Sequence, residues 1–325
     1  MMTNHKLILS SLQRGMGHLI SQVHQLKQDD PFTKITIFLP STGSLRNFRK
    51  KLDNSIALRL LQFYSLADAI IEEAASPVTL ISDTTIRQII SKILAEMNQE
   101  GTLSSFSPIH EKPGFVTVLL EWLREMKSQG IYPEEYNAFA LEKTSIRDTQ
   151  LSEFYRRYQD YLNEKGYADP DGRLWVASEA LEKDPDLFLH NGSLYILGHD
   201  QFTPVQLSIL KSLTNRFNNI TIYLHWSDNQ DKDSLGLSRL RETRDALLKN
   251  LNLEVITLPS HPKSSVDLSH LGNQIFRLSP EVQEPTNDLQ LIEAPSREIE
   301  VREALKITKR LLQQGISPEK IGILA

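Results

Sequence analysis

The sequence predicts an α/β protein: a parallel β-sheet with helices between its strands, interrupted by an all-helical insertion. Three observations carry this. Short apolar runs recur, each followed by a stretch with helical periodicity, as in βαβ units. From Asp83 to about Asp184 no strand-like run occurs. At 325 residues, 40% hydrophobic and 24% charged, the chain can fill two domains or one large body with an insertion.

The clearest unit is Leu194–Leu213, LYILGHDQFTPVQLSILKSL. Leu194–Leu197 reads as a strand buried on both faces. Gly198-His199-Asp200-Gln201 breaks it, and Thr203-Pro204 starts a helix, Thr as N-cap and Pro at its first position. Leu207, Ile209, Leu210 and Leu213 form that helix's apolar stripe. Polar residues at a strand's carboxyl end, followed by a helix, are where open α/β sheets present groups to ligands.

Taken in order, Lys6–Ser11 is expected as a strand, 12–18 (LQRGMGH) as a loop and Leu19–Lys27 as a helix. Lys34–Leu39 is a second strand, ended by Pro40-Ser41-Thr42-Gly43, with a basic helix Leu45–Leu52 after it. Ala57–Tyr64 is a third strand and Leu66–Ala75 a third helix. Strands alternating with helices in this way imply right-handed crossovers. Asp83–Asn98 carries Ile86, Ile89, Ile90, Ile93, Leu94 and Met97 on one helical face. Phe115–Lys127, Ile146–Lys165 and Gly172–Leu181 continue the helical block, separated by turns near Pro113, Pro133 and Gly166. Ile220–Trp226 and Leu253–Leu258 resume the sheet, with 227–234 (SDNQDKDS) a mobile polar surface loop between them. Asp267–Arg277 reads as a short helix and Ser279–Asp288 as a linker. Leu289–Glu293, a helix Ser296–Gln314 and a strand Lys320–Leu324 read as a final β–α–β unit. A buried strand one residue from the last position suggests a piece of a longer protein. The expected domains are 1–82 with 185–288 (α/β), 83–184 (helical), and 289–325 (the start of another).

Composition excludes several classes. Without cysteine there is no disulfide, thiolate metal site or cysteine nucleophile, which fits a cytoplasmic protein. No run approaches the roughly 20 apolar residues that span a bilayer, and the start is too short for a signal peptide. A formal net charge of −5 argues against a wholly basic nucleic-acid module but leaves room for a basic groove. The histidines show no metal-ligand spacing, and no catalytic constellation is present. Asp169 and Asp171 flank Pro170 as ordinary capping groups, and Trp122, Trp175 and Trp226 read as core or interface anchors.

Three places invite a functional reading beside a plain one. Arg14-Gly15-Met16-Gly17-His18 follows the first strand, where a phosphate loop belongs, but lacks the lysine and the Ser/Thr that grip phosphate and magnesium. Either the glycines let an anion approach the helix N-terminus or they make a tight turn. Ser41 and Thr42, then Arg46, Arg49 and Lys50, place hydroxyls and cations at a strand's carboxyl end. They suit DNA phosphates or simply form a solvated helix face. Phe63, Tyr64 and Ser65 end the third strand. Their rings could stack single-stranded bases, or one ring is core and one surface.

The order of these features resembles the first domain of superfamily 1 DNA helicases, a P-loop NTPase-like fold. Four stretches resemble more closely the B subunit of the bacterial ATP-dependent helicase–nuclease (AddB/RexB type): 112–135 (KPGFVTVLLEWLREMKSQGIYPEE), 194–210 (LYILGHDQFTPVQLSIL), 267–277 (DLSHLGNQIFR) and 293–325 (EAPSREIEVREALKITKRLLQQGISPEKIGILA). The last resembles the opening of the second motor domain. Two departures matter. The phosphate-loop lysine and hydroxyl are missing, and the acid pair of the motor is reduced to Asp200 beside Gln201. The nuclease module, with its cysteine-ligated cluster, is not in this sequence.

The resemblance therefore implies a degenerate nucleotide site at Arg14, Gly15, Gly17, His18, Asp200 and Gln201, with no cofactor and neither ATP nor magnesium held productively. It implies an inactivated, DNA-holding scaffold for double-strand-break end processing and recombinational repair. Its partners would be a single-stranded or forked DNA end and a motor or nuclease subunit, with no membrane. Arg46, Arg49 and Lys50 would hold phosphates, and Phe63 and Tyr64 would meet bases. Two rivals stand beside this: a docking scaffold without DNA contact, and an active nucleotide hydrolase with an atypical loop.

Overall fold

The structure, a computed structural model, describes residues 5–52, 56–75, 78–189, 192–226, 238–259, 265–275, 277, 279–284, 286 and 289–324. They fall into two units, Met1–Lys232 with Gly236–Ser260, and Asp233–Leu235 with His261–Ala325. The expected polar loop 227–234 lies outside the described residues.

The first unit is built on six strands: β1 (Lys6–Ser10), β2 (Ile35–Phe38), β3 (Leu58–Leu61), β6 (Ser193–Leu197), β7 (Asn219–His225) and β8 (Glu254–Thr257). They pair in the order β3-β2-β6-β7-β1-β8, and every pairing is parallel. Alternation along the strands sorts side chains between two cores. Ile8, Ile37, Tyr195, Leu197 and Tyr223 meet Leu19 and Val23 of α1 (Leu12–Asp29) and Phe48 of α2 (Thr42–Lys51). Leu7, Phe38, Ile196 and Ile222 meet α3 (Phe63–Glu73) and the helical block.

That block comprises α4 (Asp83–Gln99), α5 (Pro113–Ser128), α6 (Pro133–Lys143), α7 (Ile146–Lys165) and α8 (Gly172–Lys183). The expected apolar stripe of α4 is buried throughout, from Ile86 to Met97, and each such side chain contributes about 1.5–3 kcal/mol. It packs as one hydrophobic cluster with the sheet rather than as a separate core. The chain returns to the sheet beside Arg216, which is 5% exposed. Its guanidinium donates to the carbonyls of Leu181, Asp184, Leu187 and Ser212, serving the carboxyl ends of α8 and of α9 (Pro204–Leu213). Helix C-termini carry negative partial charge, so they compensate this buried cation.

Several expectations are corrected. Residues 12–18 are not a loop but the first turns of α1, because Ser11 caps the helix directly, its Oγ accepting from the Arg14 amide. Phe63-Tyr64-Ser65 do not end a strand; they open α3, the β3 ladder having stopped at Leu61. The helical stretch contains a short strand, β5 (Tyr167–Ala168), paired with β4 (Thr79–Leu80). Pro133 is the first residue of α6 rather than only a turn. α10 (Ser238–Asn250) was not foreseen.

In the second unit, α11 (Val266–Gln274) and α12 (Arg297–Gln313) appear as expected. Neither Leu289–Glu293 nor Lys320–Leu324 is a strand among the described residues. A strand needs a neighbouring ladder, and Leu291 and Leu324 are fully exposed.

Candidate functional site

The connection from β2 runs outward through α2 to the edge strand β3, while that from β6 runs the other way through α9 to β7. β2 and β6 are neighbours, so the strand order reverses between them, where open α/β sheets place their ligand crevice. Gly198, with φ +82°, lets the β6 end turn against Pro40: a Cβ there would lie 3.3 Å from Pro40 Cδ. Gln62 Nε2 donates to Pro40 O at 3.1 Å, holding the ends of β2 and β3 together.

Ser41 is the N-cap of α2, in a reciprocal capping box with Ser44. The box sends α2 away from the rim with Thr42 in its first turn, and Phe48 is its single buried residue. Arg46, Arg49 and Lys50 are exposed, and none of them joins an ion pair among the described residues. Lys51 Nζ lies 3.2 Å from Met16 Sδ. The helix holds these four cations and no acid.

Behind this rim sits an aromatic plug. His199 stacks on Phe202 at 5.6 Å and meets the edge of Phe63 at 5.2 Å, and Phe63 packs on Phe38 at 5.5 Å. Burial pushes the His199 imidazole down to about 4, so the ring is neutral near pH 7. Phe63 is 4% exposed, which corrects its expected contact with bases. Tyr64 and Ser65 are exposed. The Tyr64 hydroxyl donates to Asp171 Oδ1 at 3.3 Å, and the Arg173 guanidinium stands 4.8 Å over its ring. Burial, then the Asp171 carboxylate, push that phenol up.

The residues expected around a nucleotide lie in different settings. Gly15 is buried, and a Cβ on it would meet Ser10 Oγ at 2.8 Å and Tyr223 Cδ1 at 3.2 Å. Gly17 has open space around it. Arg14 is half-buried in the first turn of α1, and His18 Nδ1 is 2.9 Å from the Tyr223 hydroxyl. Asp200 and Gln201 are exposed beyond β6, with the Asp200 carbonyl accepting from Thr243 Oγ1 of α10 at 2.7 Å. β7 lies between β1 and β6. The sequence reading missed Gln62, Pro40 and Phe202; only the Gly198 break hinted that backbone would approach here.

Fold and rim define a parallel α/β protein with polar groups at its strand carboxyl ends, a cationic helix leaving one of them and a helical block on one face. The chain belongs to the ADDB N-terminal family, whose model matches residues 45–270. It is similar to the B subunit of the ATP-dependent helicase/deoxyribonuclease of Alkaliphilus metalliredigens, 26% identical over 271 residues, which is 78% of this chain and 23% of that protein. The same-named proteins of Listeria innocua (24% over 292 residues, 85% and 25%) and Carboxydothermus hydrogenoformans (26% over 274 residues, 82% and 24%) are also similar. The chain thus spans about a quarter of the length of these relatives. Among the described residues, no helix is long and apolar enough to cross a membrane.

Proposed function

We propose that this chain is a motor-like, nucleotide-silent, DNA-holding part of a helicase–nuclease subunit that processes broken DNA ends with a motor partner. The observation that carries this reading is α2, which starts from Ser41 and Thr42 at the crevice and carries Arg46, Arg49 and Lys50, all exposed and in no ion pair among the described residues. On a chain of net charge −5, such a concentrated cationic face suits a phosphate backbone. Tyr64, exposed at the same edge of the sheet, offers a ring to a base.

The silent reading rests on the start of α1. The Ser11 side chain already accepts from the Arg14 amide, and Gly15 N donates to Ser11 O at 2.9 Å. A phosphate loop would instead leave such amides turned toward an anion. The parallel strand order agrees with a P-loop NTPase-like ancestry for the sheet, with 83–184 inserted and 289–325 opening a further domain.

The test is fluorescence anisotropy with single-stranded and forked DNA at several salt concentrations. Binding should fall steeply with salt. Replacing Arg46, Arg49 and Lys50 by Ala should flatten the slope by about 0.7 for each phosphate no longer neutralised. An unchanged slope sinks the assignment, and no binding at low salt favours a docking scaffold.

A further inference from the structure

The sheet face that α1 and α2 cover among the described residues holds a cleft of about 300 Å³ over the starts of β1, β6 and β7. Central strands of a parallel sheet are ordinarily apolar on both faces because helices cover them. The other face of these strands obeys: Leu7, Leu194, Ile220 and Ile222 are at most 1% exposed. On the cleft side the polar Lys6, His18, Gln22, Tyr195, Thr221 and Tyr223 stand among the apolar Ile8, Leu26 and Ile256. An apolar partner laid over them would strand Lys6 Nζ, the Gln22 amide and His18 Nε2 without hydrogen bonds, so the cleft suits a polar occupant.

Its charge has one sign. Lys6 and His18 line it, and among the described residues no acidic side chain does. Burial, then the nearby positive charges of Arg14 and Lys6, hold the His18 imidazole below its ordinary range. The Tyr223 hydroxyl, 2.9 Å from Nδ1, fixes the ring and leaves Nε2 for another partner. Glu254 is the register neighbour of Lys6 on β8, yet no ion pair joins them.

We propose that this cleft binds a small phosphate-bearing anion. Lys6 Nζ holds the charge, and the His18 Nε2–H, the Gln22 amide and the Tyr195 and Thr221 hydroxyls supply neutral donors. Its volume is at the lower end of small-molecule sites, about 300–1,000 Å³, which suits phosphate, pyrophosphate or a mononucleotide. The cleft lies toward the amino ends of the strands, whereas the proposed DNA rim lies at their carboxyl ends. Either reading can therefore fail alone.

Isothermal titration of the full chain with inorganic phosphate, pyrophosphate and AMP tests it. Saturable binding is expected, weakened about tenfold or more by Lys6→Gln, the scale of one charge-assisted hydrogen bond, and less by His18→Gln, the loss of a neutral one. Glu254→Gln should tighten it. AMP binding more tightly than phosphate would identify a nucleotide as the source of the phosphate, and equal binding the free anion. Should His18→Gln unfold, Lys6→Gln with Gln22→Ala decides. The proposal is overturned if no anion saturates by on the order of 10 mM, a free energy too weak for a built site. It is equally overturned if Lys6→Gln leaves affinity unchanged, or if binding is lost through Arg46→Ala instead.

Discussion

Gly15 and Gly17 look alike in the sequence and differ in what holds them. Inside a helix each glycine costs about 1 kcal/mol relative to alanine. Gly15 repays this by close packing, with Ser10 and Tyr223 occupying the space a side chain would need. A Cβ on Gly17 would meet nothing within 4 Å beyond its own helix, so Gly17 has no such return. Gly17→Ala should therefore raise stability by roughly 0.5–1 kcal/mol in urea denaturation. A loss of stability would mean that this residue belongs to a loop rather than to α1. The spacing of two glycines after a strand was visible in the sequence, but their helical setting was not. Ser11 can equally start a turn or cap a helix, and the choice depends on Tyr223 and Leu197, some two hundred positions away.

At the scale of elements, the helical block is tied together by one buried ion pair. Lys127 of α5, 1% exposed, places Nζ 2.6 Å from Asp169 Oδ2. The same carboxylate accepts from Tyr158 of α7 at 2.8 Å and, through Oδ1, from the Gly172 amide opening α8 at 2.6 Å. Trp175 Nε1 donates to the Lys127 carbonyl, and its ring lies 5.4 Å from Nζ. Asp169 is thus a junction of three elements rather than an ordinary cap. Lys127→Met would leave its carboxylate buried without a countercharge, and should cost about 3–5 kcal/mol by thermal or denaturant unfolding. Adding Asp169→Asn should recover part of that cost, since the amide oxygen still accepts from Tyr158. A change within about 0.5 kcal/mol for Lys127→Met would show that the pair is solvated rather than buried.

For the whole molecule, burial divides the chain unevenly. The buried hydrophobic residues run from Leu7 to Leu251, and no described residue of the second unit is among them. α12 has no buried residue, and Ile299, Val301, Leu305 and Leu312 are exposed on it. A 17-residue helix without a packed face is marginal on its own. Hydrogen exchange of this chain should therefore show α12 amides exchanging first, and those of β6 and β7, buried on both faces, last. Strong protection in α12 would reveal a packing partner for that helix.

Local chemistry alone determined the strand–helix alternation, the stripe of α4, and the Thr203-Pro204 start of α9, whose Thr203 Oγ1 accepts from the Gln206 amide at 3.3 Å. Periodicity and caps act within a few residues, so they can be read from order alone. The cations of α2 were visible for the same reason. Tertiary structure decided what depends on partners far along the chain. β6 lies between β2 and β7 rather than beside β1, and Phe63 turns inward onto His199 while Tyr64 stays out. The cleft lies on the sheet face that α1 and α2 cover among the described residues. Whether a polar residue on a strand meets water, a helix or a ligand depends on what covers that face, and that is settled only when the chain packs.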